Sequence, residues 1–160
     1  MSQGADTLDV EKTAKSSCEQ LRIVTEERLQ FVDLTDQIKA IVWKSGISTG
    51  FVNVQTRHTT TGIIINEHEP LLLCDMKDLL DRLVPDNIDY RHDDFSIRTA
   101  NLTPDERSNG FAHCRALFLR ASECINLLDG ELQLGIWQRI FLLELDGPRE
   151  RNVSVMILGS

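Results

Sequence analysis

The stretches NGFAHCRALFL, from Asn109 to Leu119, and GELQLGIWQRIFLLELDGPRERNVSVMIL, from Gly130 to Leu158, decide the fold. The first predicts a short helix that carries a histidine, and the second predicts two long strands on either side of a DGPR turn. Shorter strands are expected around residues 123–128 and 131–134. Strands and helices are segregated rather than alternating as repeated βαβ units, which predicts an α+β fold with a largely antiparallel sheet or sandwich and a few packed helices.

The first half of the chain contains further strand and helix signals. LRIV and RLQFVDL, separated by an acidic turn, predict a β-hairpin, and the runs GFVNVQT and TGIIIN predict two more strands. TDQIKAIVWKSG predicts an amphipathic helix that ends at Gly46. EPLLLCDMKDLLDRLVP predicts the strongest helix, with Pro70 in its first turn and a leucine stripe that packs on the sheet. The polar segment 86–108 is expected to be a functional or mobile loop.

Length and charge limit the classes of protein that fit. A chain of 160 residues with 41% hydrophobic residues suits one domain, which we expect at 19–160 after a flexible lead-in at 1–18. The chain carries 25 acidic and 17 basic residues, and the resulting net charge of -8 repels a phosphate backbone. Nucleic acid is therefore not an expected partner.

Location is inferred from what the sequence lacks. No apolar run approaches the roughly 18 residues that cross a bilayer, and the N-terminal stretch MSQGADTLDVEKTAKSS resembles neither a secretory signal nor a transit peptide. The four cysteines form no CxxC pair, and we expect free thiols without an assigned role. These features predict a soluble, cytoplasmic protein that does not interact with membranes.

Three histidines are the main candidates for chemistry. His58, His92 and His113 each lie beside polar or small residues at the end of a predicted element. Three imidazoles are a common catalytic zinc shell, with water in the fourth position. Their separations are too long for a local metal motif, so only the fold can bring them together. The alternative for each is a hydrogen-bonded structural or surface imidazole.

Carboxylates, hydroxyls and one arginine complete the candidate set. Asp93, beside His92, and Glu67 are candidates for orienting a histidine, for holding magnesium or for acid–base catalysis, although solvated carboxylates are common in an acidic chain. Thr59, Thr60 and Arg149 are candidates for binding an anion. A threonine run is also ordinary strand sequence, and the arginine is equally suited to an ion pair with a nearby carboxylate, Asp146 or Glu144.

Two further expectations concern motifs and one aromatic side chain. The sequence contains no GxGxxG, GxxxxGK[ST], HExxH or GxSxG, so dinucleotide, P-loop, zincin and serine-hydrolase functions have no motif support. Trp137 begins a long predicted strand, and we expect its indole to be part of the core.

Four separated motifs occur together in one order: HTTTGIIINEHEP from His58, YRHDD from Tyr90, NGFAHCRALFL from Asn109 and GELQLGIWQRIFLLELDGPR from Gly130. In this combination the chain resembles the YjbQ-like family, also called secondary thiamine-phosphate synthase enzymes, over nearly everything after Leu21. The resemblance implies a compact α+β fold, a homotrimer, and His58, His92 and His113 as active-site or metal residues. Phe111 departs from the smaller or polar residue expected there in many relatives.

The resemblance also implies an activity. The family name indicates the joining of hydroxymethylpyrimidine diphosphate to thiazole phosphate with release of pyrophosphate, attached to the family as a secondary activity. Such a reaction needs anion donors and a divalent ion, zinc or magnesium, to hold charge. Two alternatives stay open: a zinc-dependent hydrolase of a small metabolite with Asp93 or Glu67 as base, and a noncatalytic trimer that binds a metal or metabolite.

Overall fold

The computed structural model describes residues 14–160, which form two antiparallel sheets with helices packed against them. The strands are β1 (Lys15–Val24), β2 (Gln30–Asp33), β3 (Gly50–Thr56), β4 (Thr61–Glu67), β5 (Ser122–Leu128), β6 (Glu131–Leu132), β7 (Gln138–Glu144) and β8 (Glu150–Gly159). The helices are α1 (Thr35–Ser45), α2 (Pro70–Leu83) and α3 (Gly110–Ala116), and a short 3-10 helix spans Arg91–Asp93. Within residues 14–160, no helix has the length and apolar character needed to cross a bilayer.

The strand order explains how distant parts of the chain meet. One sheet has the order β1-β8-β3-β5-β6 and the other has the order β2-β7-β4. Every strand pair is antiparallel, as the segregated order of the predicted elements indicated. The predicted α+β class with a largely antiparallel sheet is confirmed.

The predicted hairpin between the first two strands is wrong. β1 pairs along its whole length with β8, and β2 pairs with β7, so these two strands belong to different sheets although they are consecutive in sequence. Local alternation of apolar and polar residues predicts a strand but contains no information about its partner. The pairing of β1 with β8 also shortens the expected lead-in, because Lys15 and Cys18 already lie in the sheet. The part of that lead-in at residues 1–13 lies outside the described residues.

The larger core lies between the two sheets and α1. In β8 the side chains of Val153, Val155 and Ile157 are fully buried, and they alternate with outward-facing residues. They pack in one cluster with residues of the other sheet, including Ile63 and Leu142. Burial of side chains of this size is the main stabilising contribution to such a domain, at about 1.5–3 kcal/mol each.

A second, smaller core holds α3 against the end of the three-stranded sheet. Phe111 is 4% exposed and belongs to this cluster together with Leu80 of α2 and Leu143 of β7. Two guanidinium groups pack against its ring, with Arg28 at 4.4 Å and Arg115 at 5.1 Å from the ring centroid. Phe111 therefore anchors α3 rather than lining a cavity with the histidine of the same helix.

The two longest helices begin or end at the residues that the sequence predicts, but α2 packs on the sheet less completely than predicted. α1 ends at Gly46, which adopts the left-handed conformation with a φ of 66°. α2 begins at Pro70, with the carboxylate of Glu69 accepting hydrogen bonds from the first free amides. The prediction that its leucine stripe packs on the sheet is only partly right, because Leu80 is buried while Leu79 and Leu83 are about half exposed.

The expectation for Trp137 is wrong. Its side chain is 66% exposed, and neighbouring Ile136 is 87% exposed. Both residues lie in the turn that precedes β7, where the strand period that places residues in the core has not yet begun.

Candidate functional site

A polar cavity of about 480 Å³ lies where the β3–β4 connection, the start of β8, the loop after α2, and α3 come together. Its size suits a small metabolite. It is lined by four arginines, three histidines and five other residues: Arg57, Arg98, Arg149, Arg151, His58, His92, His113, Thr59, Thr60, Asn101, Glu106 and Asn109. We call this set the histidine cavity.

His58 is fixed by the backbone of β8. It lies in the short connection between β3 and β4, and its Nε2 accepts a hydrogen bond of 2.8 Å from the backbone N–H of Asn152. Burial, followed by the charge of Arg151, lowers the pKa of His58 below its ordinary value of 6.5. The imidazole is therefore neutral at pH 7, with its proton on Nδ1.

His92 and His113 form a contacting pair on the cavity wall. Their ring centroids are 4.6 Å apart, with an angle of 57° between the ring planes. Burial and the neighbouring His92 lower the pKa of His113. Nε2 of His92 is buried without a hydrogen-bond partner among residues 14–160. This nitrogen is therefore an unsatisfied buried polar atom, which is rare in folded proteins.

Asp93 positions this pair from outside the cavity. Its Oδ1 accepts hydrogen bonds of 2.9 Å from the backbone amides of Asn109 and Gly110, at the start of α3. The 3-10 helix that carries His92 is thus tied to the helix that carries His113. The contact is close, because a Cβ atom at Gly110 would lie 2.5 Å from Cβ of Tyr90. Only glycine fits at this junction.

A buried ion pair forms the floor beside the strands. Arg151 of β8 and Glu144 of β7 are both fully buried and hydrogen-bonded through two guanidinium nitrogens. Arg151 Nη2 also donates to the hydroxyl of Thr60 at 3.0 Å, and Thr25 donates to Glu144. Burial raises the pKa of Glu144, but the bond from Arg151 and two backbone amides outweigh it and hold that pKa below its usual range.

A second carboxylate, Asp146, orients two groups on the cavity wall. It is 5% exposed and forms an ion pair with Arg149, and its Oδ2 accepts a hydrogen bond of 3.2 Å from Nδ2 of Asn109. Each partner keeps one buried polar atom without a hydrogen bond in the described part of the chain: Nε of Arg149 and Oδ1 of Asn109. The ion pair, which the sequence offered as the alternative to anion binding for Arg149, is present in the structure.

The loop at 86–108 closes the cavity on its remaining side. The guanidinium of Arg98 donates to the backbone carbonyls of Ala100, Asn101 and His92 and to the carboxylate of Glu106. This single side chain organises the loop and holds it beside the histidine pair. Arg57, by contrast, is exposed and makes no ion pair within residues 14–160.

Most of the predicted site residues share the cavity, but two do not line it. His58, His92, His113, Thr59, Thr60 and Arg149 all contribute to its wall. Asp93 lies behind the wall as a positioning residue, with its Oδ1 committed to backbone amides. Glu67 lies at the opposite end of β4 from Thr61, and six residues of strand span about 20 Å. The fold does not bring Glu67 to the histidines.

The histidines do not form a ready three-ligand metal shell. Within residues 14–160 no group of three or more histidine, cysteine, aspartate or glutamate side chains is arranged to hold an ion. Nε2 of His58 is engaged by the Asn152 amide, and the other nitrogen carries the proton in the neutral ring. A metal ion on all three histidines requires His58 to give up this hydrogen bond. The residues in their present arrangement therefore do not fit the implied metal.

Sequence reasoning did not identify the cavity arginines other than Arg149. Arg57, Arg98 and Arg151 lie in three separate polar stretches, and arginines in such surroundings are usually solvated. One signal was present for Arg151, because it has the same strand period as Val153 and Val155, whose side chains face the core. A charged residue at an inward position of a strand predicts a buried partner, here Glu144.

Comparison with known proteins shows close relatives over nearly the whole described chain. The model of the family described as UPF0047 protein YjbQ-like matches residues 19–160. A UPF0047 protein of Archaeoglobus fulgidus is 39% identical over 139 residues, covering 87% of this chain and 99% of that protein. A UPF0047 protein of Methanothermobacter thermautotrophicus is 35% identical over 141 residues, covering 88% and 91%.

Solved structures share the fold. The crystal structure of a YbjQ-like protein of unknown function from Sulfolobus solfataricus P2 matches with a TM-score of 0.81 and 36% identity, covering 92% of this chain and 100% of that one. The crystal structure of a hypothetical protein from Aeropyrum pernix K1 matches with a TM-score of 0.79 and 30% identity, covering 90% and 99%.

Proposed function

This chain belongs to the YjbQ-like UPF0047 family, and on that premise we propose that it is an enzyme that binds a small phosphorylated metabolite in the histidine cavity. The proposed reaction is a thiamine-phosphate synthase-like transfer, which joins hydroxymethylpyrimidine diphosphate to thiazole phosphate and releases pyrophosphate, as a secondary activity. The observation that carries the proposal is the convergence of four arginines on three histidines in a chain of net charge -8.

The charge of the cavity supports an anionic substrate. Three of its arginines have carboxylate partners: Arg98 pairs with Glu106, Arg149 with Asp146 and Arg151 with Glu144. The fourth, Arg57, makes no ion pair within the described residues, so the set keeps a positive excess. Guanidinium groups match phosphate oxygens in geometry as well as in charge.

The proposed step is a substitution at the carbon that bears the diphosphate. The C–O bond to the diphosphate breaks, its electron pair leaves with the oxygen, and the lone pair of the thiazole nitrogen forms the new C–N bond. Negative charge grows on the departing pyrophosphate. Arg57, Arg149 and Thr59 are the proposed donors to it, because fixed donors aimed at developing charge lower the barrier.

His58 has a specific place in this scheme. The hydrogen bond from Asn152 leaves its Nδ1–H as the free polar group, so we assign it as a neutral donor to the leaving group. His92 and His113 also line the cavity, and Nε2 of His92 is buried without a hydrogen-bond partner among residues 14–160. No step is assigned to a metal ion. The implied zinc or magnesium stays a prediction that metal analysis tests.

Neither of the two carboxylates proposed as the base of the hydrolase alternative lines the histidine cavity. Asp93 Oδ1 is committed to two backbone amides, and Glu67 does not line the histidine cavity. A general base must reach the proton that it removes, directly or through one water. The geometry therefore favours transfer or binding of a phosphorylated compound over hydrolysis with either carboxylate as base.

A homotrimer and a cytoplasmic location are also parts of the proposal. Several large apolar side chains are exposed on the single chain, including Leu117, Phe118, Ile136 and Trp137. Exposed apolar surface of this kind is typical of interfaces. In solution, light scattering should give three times the chain mass of 18.2 kDa, and a monomer mass would refute the trimer.

The cysteines of the described region are all free thiols, which suits the proposed cytoplasmic location because the cytoplasm is a reducing compartment.

Turnover with both phosphorylated substrates is the direct test of the proposed reaction. We expect pyrophosphate release by the purified protein and about a hundredfold loss in the variant His58→Ala, which removes the proposed donor to the leaving group. The matched control is His68→Ala, because His68 does not line the cavity. Metal content is measured before and after chelation of the same samples. Saturable binding without any turnover would instead support the noncatalytic alternative.

A further inference from the structure

One carboxylate lies among the basic groups of the histidine cavity. Glu106 is the single acidic residue of its lining, all of which comes from residues 14–160. The side chain of Glu106 is 19% exposed, so a molecule in the cavity can approach it. By contrast, Glu144 and Asp146 are almost fully buried in their own ion pairs and do not line the cavity. Glu106 is therefore the negative charge that a bound ligand meets.

The carboxylate of Glu106 is ionised and held in place by its own loop. Its Oε1 accepts a hydrogen bond of 3.2 Å from Nη1 of Arg98, and its Oε2 accepts one of 3.1 Å from the hydroxyl of Thr103. The bond from Thr103 outweighs partial burial and lowers the pKa of Glu106 below its ordinary value. The group is therefore charged at pH 7.

The charges of the cavity favour a ligand that carries both signs. Arg98 and Glu106 neutralise each other, and Arg98 gives its other hydrogen bonds to backbone carbonyls of the same loop. The positive excess comes from another segment, because Arg57 in the connection between β3 and β4 makes no ion pair within the described residues. A purely anionic ligand is attracted by this arginine and repelled by Glu106, whereas a positive group on the same ligand is attracted by Glu106.

We infer that Glu106 is a specificity-determining residue that selects phosphorylated ligands carrying a positively charged nitrogen. This selection rests on the proposed function and narrows its substrate class. In the proposed transfer, the ring nitrogen uses its lone pair for the new C–N bond and becomes positively charged as the diphosphate leaves with its electron pair. A fixed carboxylate in the same cavity attracts that growing positive charge, while the guanidinium groups attract the growing negative one.

Two probes of the same shape isolate the effect of the positive charge. Phosphocholine and 3,3-dimethylbutyl phosphate differ only in one central atom, which is a charged nitrogen in the first and a neutral carbon in the second. For the unmodified protein, calorimetric titration should give a dissociation constant about threefold to tenfold lower for phosphocholine. In Glu106→Gln this preference should disappear or reverse, because glutamine keeps an oxygen for Arg98 but has no charge.

The matched control is Glu131→Gln. Glu131 is an exposed residue of β6 that does not line the cavity, and its replacement makes the same change in net charge. This variant should keep the preference of the unmodified protein for phosphocholine. If Glu106→Gln fails to fold, Glu106→Ala is titrated in its place, and equal constants in the unmodified protein overturn the inference without either variant.

The outcomes separate this inference from the proposed function. Equal binding of the two probes to the unmodified protein, or tighter binding of the carbon analogue, overturns selection by Glu106 and leaves phosphate binding intact. A preference that persists in Glu106→Gln also overturns it. If neither probe binds while pyrophosphate does, the inference fails and the phosphate site remains. If pyrophosphate does not bind either, the proposed function fails as well.

Discussion

The backbone N–H of Asn152 donates a 2.8 Å hydrogen bond to Nε2 of His58. Because Asn152 is in β8 and His58 follows β3, the pairing of these two strands sets the position of the ring. The bond fixes the tautomer, since Nε2 must be unprotonated to accept it. It also leaves Nδ1–H as the only N–H of the neutral ring, which is the basis of the donor role assigned to this histidine.

The tautomer itself is the first prediction. At pH 7, nitrogen-15 spectra of the imidazole groups should show His58 with a protonated Nδ1 and an unprotonated Nε2. The same spectra recorded after addition of zinc show whether the ring gives up its bond to Asn152. A protonated Nε2 in the metal-free protein would refute the donor assignment.

Stability should depend on pH through the neutral histidines. The pKa values of His58 and His113 are lowered in the fold from their ordinary value of 6.5, mainly by burial. The unfolded chain therefore takes up protons before the folded chain does as pH falls. Their contribution to stability is complete above about pH 6.5 and is lost as pH falls through the folded pKa values.

Urea unfolding at several pH values measures this dependence. The free energy of unfolding should fall below pH 6.5, and the fall should be smaller in the double variant His58→Gln/His113→Gln. A free energy that rises on acidification over this window would contradict the lowered pKa values.

Removing one partner of the buried ion pair between Arg151 and Glu144 should reduce the free energy of unfolding more than replacing both partners by apolar residues. Arg151→Met leaves Glu144 as an unpaired buried carboxylate and should reduce the free energy of unfolding by about 3–5 kcal/mol. The double variant Arg151→Met/Glu144→Leu should recover much of this loss, because no buried charge is then left alone. The check is chemical denaturation, and equal losses in the single and double variants would show that charge burial is not the cause.

Because Trp137 is exposed in the turn before β7, its replacement should have a small effect on stability. Trp137→Ala should change the free energy of unfolding of the single chain by about 0.5 kcal/mol or less, since the side chain is 66% exposed. Phe141→Ala, at a fully buried position, should cost about 3–5 kcal/mol and is the comparison. A loss of several kcal/mol for Trp137→Ala, at a protein concentration low enough to prevent association, would contradict the exposed position.

The sequence predicted where the helices and strands lie better than it predicted which strands pair, for a physical reason. Gly46 and Pro70 mark helix ends through local backbone chemistry, and the inward residues of β8 follow a period that local sequence records. The choice of β8 as the partner of β1 depends on contacts more than a hundred residues apart, which no local pattern contains. The predicted hairpin failed for that reason.

The histidines of the candidate site could be predicted from the sequence, but the positive charge of the cavity could not. His58, His92 and His113 were identified by element ends and family resemblance, and the fold places all three on one cavity. The prediction for Glu67 was wrong because Glu67 belongs to the same sequence motif as His58 but lies at the far end of β4 from it. The arginines of the cavity come from separate segments, so their joint charge exists only in the folded chain.

Binding of pyrophosphate is the most direct measurement of the central claim that the histidine cavity binds phosphorylated compounds. Calorimetric titration should show saturable binding to the unmodified protein and about tenfold weaker binding to Arg57→Ala, which removes the one cavity arginine without an ion pair in the described residues. Arg82→Ala, an exposed arginine of α2, makes the same change in net charge and should bind as the unmodified protein does. No saturable binding to the unmodified protein, or equal weakening in both variants, would contradict the account.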